Sequence, residues 1–321
     1  MKNSYEPKPE FLERMKILLN NSKDLNNFFE SIKTTPKKSI RVNTLKISIE
    51  NLIKRTKEKN WQINVPFENY PEIIQIISNL EPGEIGKAKE HILGYYYVQE
   101  ITSMMPVIAL EPKENEIILD LCASPGSKTT QLAAKMNNTG TIIANDVSIP
   151  RIKILSSNLE RIGVTNTIIT RHDGIGLSIK LKKMNFLFDK ILVDAPCSGE
   201  GNLRSSPRTF LEWSENLIKN FSKKQKKLAK EAFEVLKING TMVYSTCTHA
   251  PEENEEVIQY LLDTYKDKIR IEPVNLPIRT REGILSWKNQ NFNKDIKKAV
   301  RIYPHDNDLE GFFLCKLRKI K

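Results

Sequence analysis

From Ile117 onward the sequence alternates short apolar runs with helix-like segments, and this alternation limits the fold more than any other feature. The apolar runs are Ile117–Leu121, Thr141–Ala144, Thr167–Thr170, Lys190–Val193 and Thr241–Ser245. The helix-like segments are Lys128–Met136, Pro150–Ile162, Ser222–Leu236 and Pro251–Tyr265. Such alternation favours a doubly wound, mostly parallel sheet covered by helices. Ligands bind these sheets at the carboxyl ends of the strands, so residues that follow a strand are candidate site residues.

Local signals predict where several helices begin and end. Pro150 falls in a first helical turn, where its missing N–H is tolerated. Ser222 is a suitable N-cap for the long helix that runs to Leu236, and Gly240 lies shortly after its end.

The first ninety or so residues follow a different pattern. Pro7–Asn20 and Ile49–Lys59 have helical periodicity, whereas Ser39–Leu45 alternates like a strand. We therefore predict two domains, a small α/β unit over residues 1–93 and a larger α/β domain over residues 94–321.

Composition limits the partners and the location of the protein. The 321 residues include 50 Lys and Arg against 39 Asp and Glu, which gives a net charge of +11. A basic balance favours a polyanionic partner such as nucleic acid. No apolar run is long enough to span a bilayer, and Met1–Glu10 has no apolar signal-peptide centre. We expect a cytoplasmic monomer that does not bind membranes.

Four cysteines lie far apart in the sequence, at Cys122, Cys197, Cys247 and Cys315. None of them forms a CxxC pair, so the sequence predicts no metal site. A disulfide framework is not expected in a large cytoplasmic protein. Each cysteine is therefore either a small buried hydrophobe or a reactive thiol.

One loop has the composition of a ligand-binding turn. The segment DLCASPGSKTT, residues 120–130, joins the first strand to a helix, and its small residues let a ligand approach free N–H donors. It has neither the Walker A spacing nor the full GxGxxG fingerprint. Asp146 ends the second strand, where nucleotide-binding folds place an acid for ribose hydroxyls, and Asp173 follows the third. Acids at three successive strand ends indicate a nucleoside-bearing cofactor, either S-adenosylmethionine or NAD.

The cysteines decide between these cofactors. Cys197 in DAPCSG and Cys247 in YSTCT each follow a strand, so both side chains project into one cleft. Carbon 5 of cytosine is a poor nucleophile until a thiolate adds to carbon 6, which divides one hard step into easier ones. Asp194 can hydrogen-bond ring nitrogen 3. Lys128 can neutralise developing charge and raise the thiolate fraction of a nearby cysteine. The spacing alone leaves the roles of the two cysteines interchangeable.

These motifs together resemble the Sun/Fmu-type RNA cytosine-5 methyltransferases, from about Arg41 to the end of the chain. The matching segments are RVN (41–43), GYYYVQEITSMM (94–105), DLCASPGSKTT (120–130), DAPCSG (194–199), YSTCT (244–248), PEENE (251–255), RIYPH (301–305) and GFF (311–313). Ser124 and Ser127 replace the Ala and Gly usual in the cofactor loop, and both are small enough to preserve cofactor binding. The short chain is most similar to the compact archaeal tRNA-modifying members.

The resemblance implies a Rossmann-like class I methyltransferase domain with a seven-stranded sheet, an N-terminal RNA-recognition-like subdomain and S-adenosylmethionine as cofactor. It also implies that Cys247 is the nucleophile and that Cys197, with Asp194, assists product release. The predicted catalytic residues are Cys247, Cys197, Asp194 and Lys128. The predicted cofactor-binding residues are Cys122, Ala123, Ser124, Pro125, Gly126, Ser127, Lys128, Asp146, Arg151, Asp173 and Asp194.

We therefore expect an enzyme that forms 5-methylcytosine in RNA, with tRNA as the preferred expectation. Two alternatives stay open, namely rRNA as the substrate, and an RNA-binding protein with weak or no catalysis. A methyltransferase for amines or proteins would need no paired cysteines. The target base must leave its stack to reach the thiols. We expect the N-terminal unit and the basic face of the larger domain to hold the RNA.

Overall fold

A computed structural model describes residues 6–321, so the start of the Met1–Glu10 segment lies outside the described residues. No helix in residues 6–321 is long and apolar enough to cross a membrane. The elements of the N-terminal part are α1 (Pro9–Leu19), α2 (Ser22–Ile32), β1 (Ser39–Val42), α3 (Ile49–Glu58), β2 (Ile63–Asn64), β3 (Ile73–Ile76), α4 (Glu84–Lys87), α5 (Lys89–Ile92) and β4 (Tyr96–Val98).

The N-terminal strands form one antiparallel sheet with the order β2-β3-β1-β4. Together with the intervening helices, this is the β-α-β-β-α-β arrangement of ferredoxin-like and RNA-recognition domains, as predicted. One face of the sheet packs on α3, because apolar residues alternate along its strands. This core includes Ile40, Val42, Leu52, Ile74 and Ile76. Strand β4 completes the sheet, so the sheet extends past residue 93.

The opposite face of this sheet packs against the larger domain. Arg41 on β1 is 2% exposed and donates hydrogen bonds to Ser127 O and Thr130 Oγ1, both at 2.8 Å. Tyr97 Oη on β4 lies 3.4 Å from Pro125 O, and Ile73 joins the apolar core of the larger domain. The helices α1 and α2 also pack on that domain, around Trp213 and Tyr303.

The larger domain contains the remaining elements. They are α6 (Ile101–Leu110), β5 (Ile117–Asp120), α7 (Ser127–Lys135), β6 (Thr141–Asp146), α8 (Ile149–Ile162), β7 (Thr167–Arg171), α9 (Gly174–Lys183), β8 (Phe188–Asp194), α10 (Thr209–Glu212), α11 (Glu215–Glu234), β9 (Leu236–Thr246), α12 (Glu255–Tyr265), β10 (Ile269–Glu272), β11 (Arg281–Glu282), β12 (Ser286–Trp287), β13 (Gln290–Asn291), β14 (Val300–Ile302), α13 (Pro304–Asn307) and β15 (Phe312–Lys319).

The main sheet has the predicted Rossmann-like parallel centre, with the order β7-β6-β5-β8-β9. The expected count of seven strands is wrong, because the sheet has nine strands in residues 6–321. Four of its pairings are antiparallel, since β15 pairs with β9, β10 and β14, and β14 pairs with β11. The added strands β10, β11 and β14 span only two to four residues, too few to give a periodic signal. The two faces of the sheet are covered by separate apolar cores.

The start of α11 also corrects a prediction. Ser222 is not an N-cap, because α11 begins at Glu215 and Ser214 Oγ accepts a hydrogen bond from Leu217 N at 3.1 Å. Ser222 lies inside the helix, where its hydroxyl donates to Glu252 O at 2.6 Å. Gly240 lies within β9 rather than in a turn. A serine suited to capping can thus be used inside a helix when a tertiary acceptor is available.

Candidate active site

A cavity of about 1380 Å³ opens at the carboxyl ends of the central strands. Asp120 and Asp194 end β5 and β8, and Cys247 directly follows β9. The predicted site residues in its wall are Cys122, Ala123, Ser124, Pro125, Ser127, Lys128, Asp194 and Cys247. The fold therefore brings the cofactor loop, the acid and the expected nucleophile to one cavity.

The cofactor loop depends on Gly126 for its turn into α7. Gly126 has φ +103°, and a Cβ there would lie 3.0 Å from Leu155 Cδ1. Asp120, just before the loop, is buried, and its Oδ2 accepts from Thr129 Oγ1 at 2.7 Å. Burial raises the pKa of Asp120 to about 7, so its ionisation depends on what binds beside it.

The predicted ribose-binding and adenine-binding residues occupy different positions. Asp146 accepts from Ser148 N at 3.0 Å and pairs with Arg151, which also donates to Ser124 O at 2.7 Å. Arg151 thus connects the acid at the end of β6 to the cofactor loop. Asp173 is exposed and accepts from Gly176 N at 3.1 Å, as the N-cap of α9. None of Asp146, Arg151 and Asp173 is among the residues that line the cavity.

The two predicted catalytic cysteines lie side by side, with their Sγ atoms 3.2 Å apart. They meet because β8 and β9 run parallel with Asp194 opposite Ser245. Hydrogen bonds join the two loops that follow these strands. Ser198 Oγ and Thr248 Oγ1 are 2.8 Å apart, and Gly201 N donates to Cys247 O at 2.9 Å. The backbone therefore fixes the separation of the sulfur atoms.

The thiols have distinct environments. The hydrogen bond with Cys247, followed by burial, raises the pKa of Cys197 above that of an ordinary thiol. Burial also raises the pKa of Cys122 and of Cys315, which keeps both thiols protonated.

The buried carboxyl group of Glu253 accepts a hydrogen bond from the backbone of the loop that contains Cys197. Glu253 is fully buried and accepts from Ser198 N at 3.0 Å and from Gln225 Nε2 at 2.8 Å. Burial raises its pKa to about 7. Gln225 also donates to Pro196 O at 2.8 Å, so one glutamine joins α11 to both the loop and the carboxyl group.

Lys128 and Asp194 form an ion pair beside the cysteines. Lys128 Nζ lies 2.8 Å from Asp194 Oδ2 and 2.9 Å from Ser103 Oγ, and the ammonium also faces the Phe312 ring. The other Asp194 oxygen accepts from Ser245 Oγ at 2.8 Å. The cavity thus holds a fixed cation and a fixed anion next to a thiol pair, an arrangement suited to polarising a heterocyclic base.

Family models match both parts of the chain. Residues 107–318 match the 16S rRNA methyltransferase RsmB/F model, and residues 8–101 match the N-terminal domain of 16S rRNA methyltransferase RsmF. The chain belongs to the RsmB/F family. This membership confirms the predicted methyltransferase family, whose cofactor is S-adenosylmethionine.

Curated relatives of the RsmB/F family are longer than this chain. The ribosomal RNA small subunit methyltransferase F of Vibrio cholerae is 39% identical over 317 residues, which are 98% of this chain and 64% of the relative. The protein of the same name from Aliivibrio salmonicida is also 39% identical, over 96% of this chain and 63% of the relative. The chain therefore spans about 64% of the length of the curated relatives it matches.

Solved structures share the whole fold of this RsmB/F member. A methyltransferase homologue from Pyrococcus horikoshii is 34% identical with a TM-score of 0.81, and the match covers 98% of this chain and 100% of that one. NSun6 from the same organism, solved with the S-adenosylmethionine analogue SFG, is 25% identical with a TM-score of 0.82. That match covers 98% of each chain.

The residues of this RsmB/F member fit S-adenosylmethionine. Asp120 Oδ1 and Ser124 Oγ are buried at the cofactor loop, and neither has a hydrogen-bond partner within residues 6–321. Buried polar atoms are normally hydrogen-bonded, so we expect a bound ligand with polar groups to supply the partners of these two atoms. The cofactor offers an ammonium, a carboxylate and hydroxyl groups. Asp120, Ser124 and the N-terminus of α7 would hold it.

Several residues of the cavity wall were not among the predicted site residues. Asp120, Ser103 and Phe312 line the cavity and lie within the motifs that carry the family resemblance, so these motifs could have identified them. Glu310 lies in none of these motifs.

Among the described residues, one group of possible metal ligands, Asp24, His305 and Asp306, lies outside the cavity wall. The Arg281 guanidinium already pairs with both of its carboxylates.

Proposed function

We propose that this protein is an S-adenosylmethionine-dependent methyltransferase that forms 5-methylcytosine in RNA, with Cys247 as the covalent nucleophile. The observation that carries the proposal is the Cys247 thiol, which lines the cavity shared with the cofactor loop and lies 3.2 Å from the Cys197 Sγ. Methyl transfer to nitrogen or oxygen would need no thiol, whereas carbon 5 of cytosine needs activation by addition at carbon 6.

The side chains divide the work as follows. Cys247 Sγ adds to carbon 6 of the cytosine, and carbon 5 becomes electron-rich. S-adenosylmethionine supplies an electrophilic methyl group when bound. Lys128 neutralises the negative charge that develops on the ring, and Asp194 accepts a hydrogen bond from ring nitrogen 3 once that nitrogen is protonated in the adduct. A base then takes the carbon 5 proton, the electron pair of that C–H bond forms the carbon 5–carbon 6 double bond, and the Cys247–carbon 6 bond breaks and restores the thiolate.

The contact between the sulfurs supports a role for Cys197 in release. Cys197 lies next to the sulfur that must depart, and the hydrogen bond with Cys247, together with burial, raises the pKa of the Cys197 thiol. This agrees with the division of roles that the family resemblance implies. A group that exchanges protons beside a leaving thiolate accelerates elimination.

Basic side chains support RNA as the substrate. The segment between α2 and β1 contributes Lys33, Lys37 and Lys38 to the cavity wall. Cations at the mouth of an active site attract and position the phosphate backbone. RNA binding by the N-terminal unit, a monomeric state and a cytoplasmic location remain predictions.

Two kinds of RNA are candidates. The resemblance to compact archaeal members indicates tRNA, whereas the curated relatives are named for small-subunit ribosomal RNA. Because these relatives match nearly the whole chain, we propose small-subunit rRNA as the first substrate and tRNA as the second.

The test is methyl transfer from labelled S-adenosylmethionine to rRNA and to tRNA in parallel, each lacking the modification, followed by nucleoside analysis. We expect labelled 5-methylcytosine in rRNA, and its loss in Cys247→Ala. Label in tRNA alone would overturn the substrate proposal but keep the reaction. Methylation that survives Cys247→Ala would overturn the covalent mechanism.

A further inference from the structure

Glu310 contributes an unsatisfied oxygen to the wall of the active-site cavity. Its side chain precedes β15 and is 3% exposed, and its Oε1 accepts from Ser205 N at 2.9 Å. Oε2 is buried and finds no hydrogen-bond partner in the part of the chain that the structure describes. A buried carboxylate oxygen without a donor costs free energy, so a bound ligand is expected to supply that donor.

Backbone hydrogen bonds connect the segment that contains Glu310 to the loop that contains Cys247. The next residue, Gly311, donates from its N–H to Gly201 O at 2.8 Å, and Gly201 N donates to Cys247 O at 2.9 Å. A Cβ at Gly311 would lie 2.4 Å from the His249 ring, so the backbone there is held close to its neighbours. Glu310 and Cys247 therefore line one cavity and are connected through the backbone of Gly201, on different elements from the cofactor loop.

We propose that Glu310 Oε2 accepts a hydrogen bond from the exocyclic amino group of the target cytosine and thereby selects cytosine over uracil. The inference rests on the proposed function. At ring position 4, cytosine carries an amino group that donates a hydrogen bond, whereas uracil carries a carbonyl oxygen. A carboxylate therefore pairs with cytosine and repels uracil. Glutamate accepting from cytosine N4 is a standard pairing in base recognition.

Asp194, the other acid near the cysteines, is assigned to ring nitrogen 3 under the proposed function. Each of its oxygens already has one partner at 2.8 Å, Ser245 on one and Lys128 on the other. Glu310 Oε2 has no partner within residues 6–321 and is open to a further donor. Burial raises the pKa of Glu310, and a donor from the base favours its ionised form.

The test is the Glu310→Gln variant, in which a side-chain NH₂ donor replaces the Oε2 acceptor. The Gln carbonyl oxygen can keep the bond from Ser205 N, which turns the side-chain NH₂ toward the cavity. The probes are two synthetic RNAs, with cytidine or uridine at the position that the wild type methylates. We expect kcat/KM for the cytidine RNA to fall about 10- to 100-fold, and the preference over uridine to shrink by at least as much.

Two further variants make the result specific. Glu310→Asp keeps an acceptor and should retain the preference for cytidine at a reduced rate. Asp308→Asn removes a charge from the same loop. Asp308 is not in the cavity wall, although its partner Arg204 is, so any change in RNA affinity should be equal for the two RNAs and the preference should stay unchanged. Thermal unfolding and the KM for S-adenosylmethionine report whether each variant is folded.

The outcomes separate the two proposals. An unchanged cytidine-to-uridine ratio in a folded Glu310→Gln variant overturns the role of Glu310. If that variant is inactive on both RNAs, their Kd values are compared, and an equal loss for both also overturns it. If the wild type forms no 5-methylcytosine in any RNA, the proposed function fails first, and the selection of cytosine fails with it.

Discussion

The cofactor loop and the two cysteine loops follow neighbouring strands of one sheet, yet they differ in how far their polar atoms are hydrogen-bonded. At the cofactor loop, Asp120 Oδ1 and Ser124 Oγ are buried without partners among residues 6–321. At the cysteine loops, side-chain and backbone bonds such as Ser198–Thr248 and Gly201–Cys247 connect one loop to the other. The first region is prepared to receive a ligand. The second is organised in advance to hold two sulfur atoms at a fixed separation.

The largest expected effect is on the sulfur pair. Cys197→Ala should lower turnover at least about 100-fold, because the adduct on Cys247 forms but is not released. The measurement is the fraction of protein linked to RNA on a denaturing gel after incubation with S-adenosylmethionine. Cys315→Ala is the matched control, because Cys315 is buried in β15 outside the cavity wall and should turn over normally. Rapid turnover without adduct in Cys197→Ala would show that Cys197 is not needed for release.

The next effect concerns the carboxyl group beneath the Cys197 loop. Glu253 titrates near pH 7 in the folded protein, against 4.5 for the ordinary group. As pH rises from about 4.5 to about 7, the unfolded chain releases this proton first, so the wild type loses unfolding free energy. Glu253→Gln has no such proton. Relative to the wild type, it should gain roughly 2.5 kcal/mol in unfolding free energy between pH 5 and pH 8 in denaturant unfolding.

Glu252 provides the control for this pH dependence. Although burial opposes its ionisation, Arg14 donates hydrogen bonds at 2.9 and 2.6 Å and lowers the pKa of Glu252. Glu252→Gln should therefore become less stable than the wild type as pH rises through 4.5, the opposite sign. Parallel curves for the two variants would mean that the burial of Glu253 does not control its ionisation.

A smaller effect is expected at the cofactor loop. Asp120→Asn should raise the KM for S-adenosylmethionine about 10-fold and change kcat by only a few fold, because we expect Asp120 to bind the cofactor and not to take part in the chemistry of the thiols. Steady-state kinetics at saturating RNA measure both constants. A loss confined to kcat would place Asp120 in the chemical step and weaken the contrast between the two regions.

The smallest effect is expected for Ser124→Ala. A neutral hydroxyl contributes less than a charged acceptor, so the KM for S-adenosylmethionine should rise about 3-fold. Calorimetric binding of S-adenosylmethionine provides a second measurement. A rise as large as that of Asp120→Asn would indicate that the hydroxyl, which replaces the alanine usual in the family, has become a main contact.

The sequence predicted the parts of the fold that rest on local patterns. Apolar runs identified the parallel strands, and this placed Asp194 and Cys247 at one edge of the sheet because parallel strands share that edge. The helix start at Ser222 was predicted wrongly, since Ser214 and Ser222 are both serines suited to capping and only tertiary contacts distinguish them. Glu310 gave no signal, because its importance comes from an oxygen left unpaired by contacts with Ser205, which is 105 positions away.

Arg41 sets a limit on how the N-terminal sheet can be used. In RNA-recognition domains, bases stack on the open face of such a sheet. Here Arg41 and Tyr97 occupy that face and contact the start of α7 and the cofactor loop. A base can stack there only if the two domains separate, which would remove partners from the guanidinium of a residue that is 2% exposed. This face of the sheet therefore anchors the helix that begins at the cofactor loop, and under the proposed function we expect RNA to contact other surfaces.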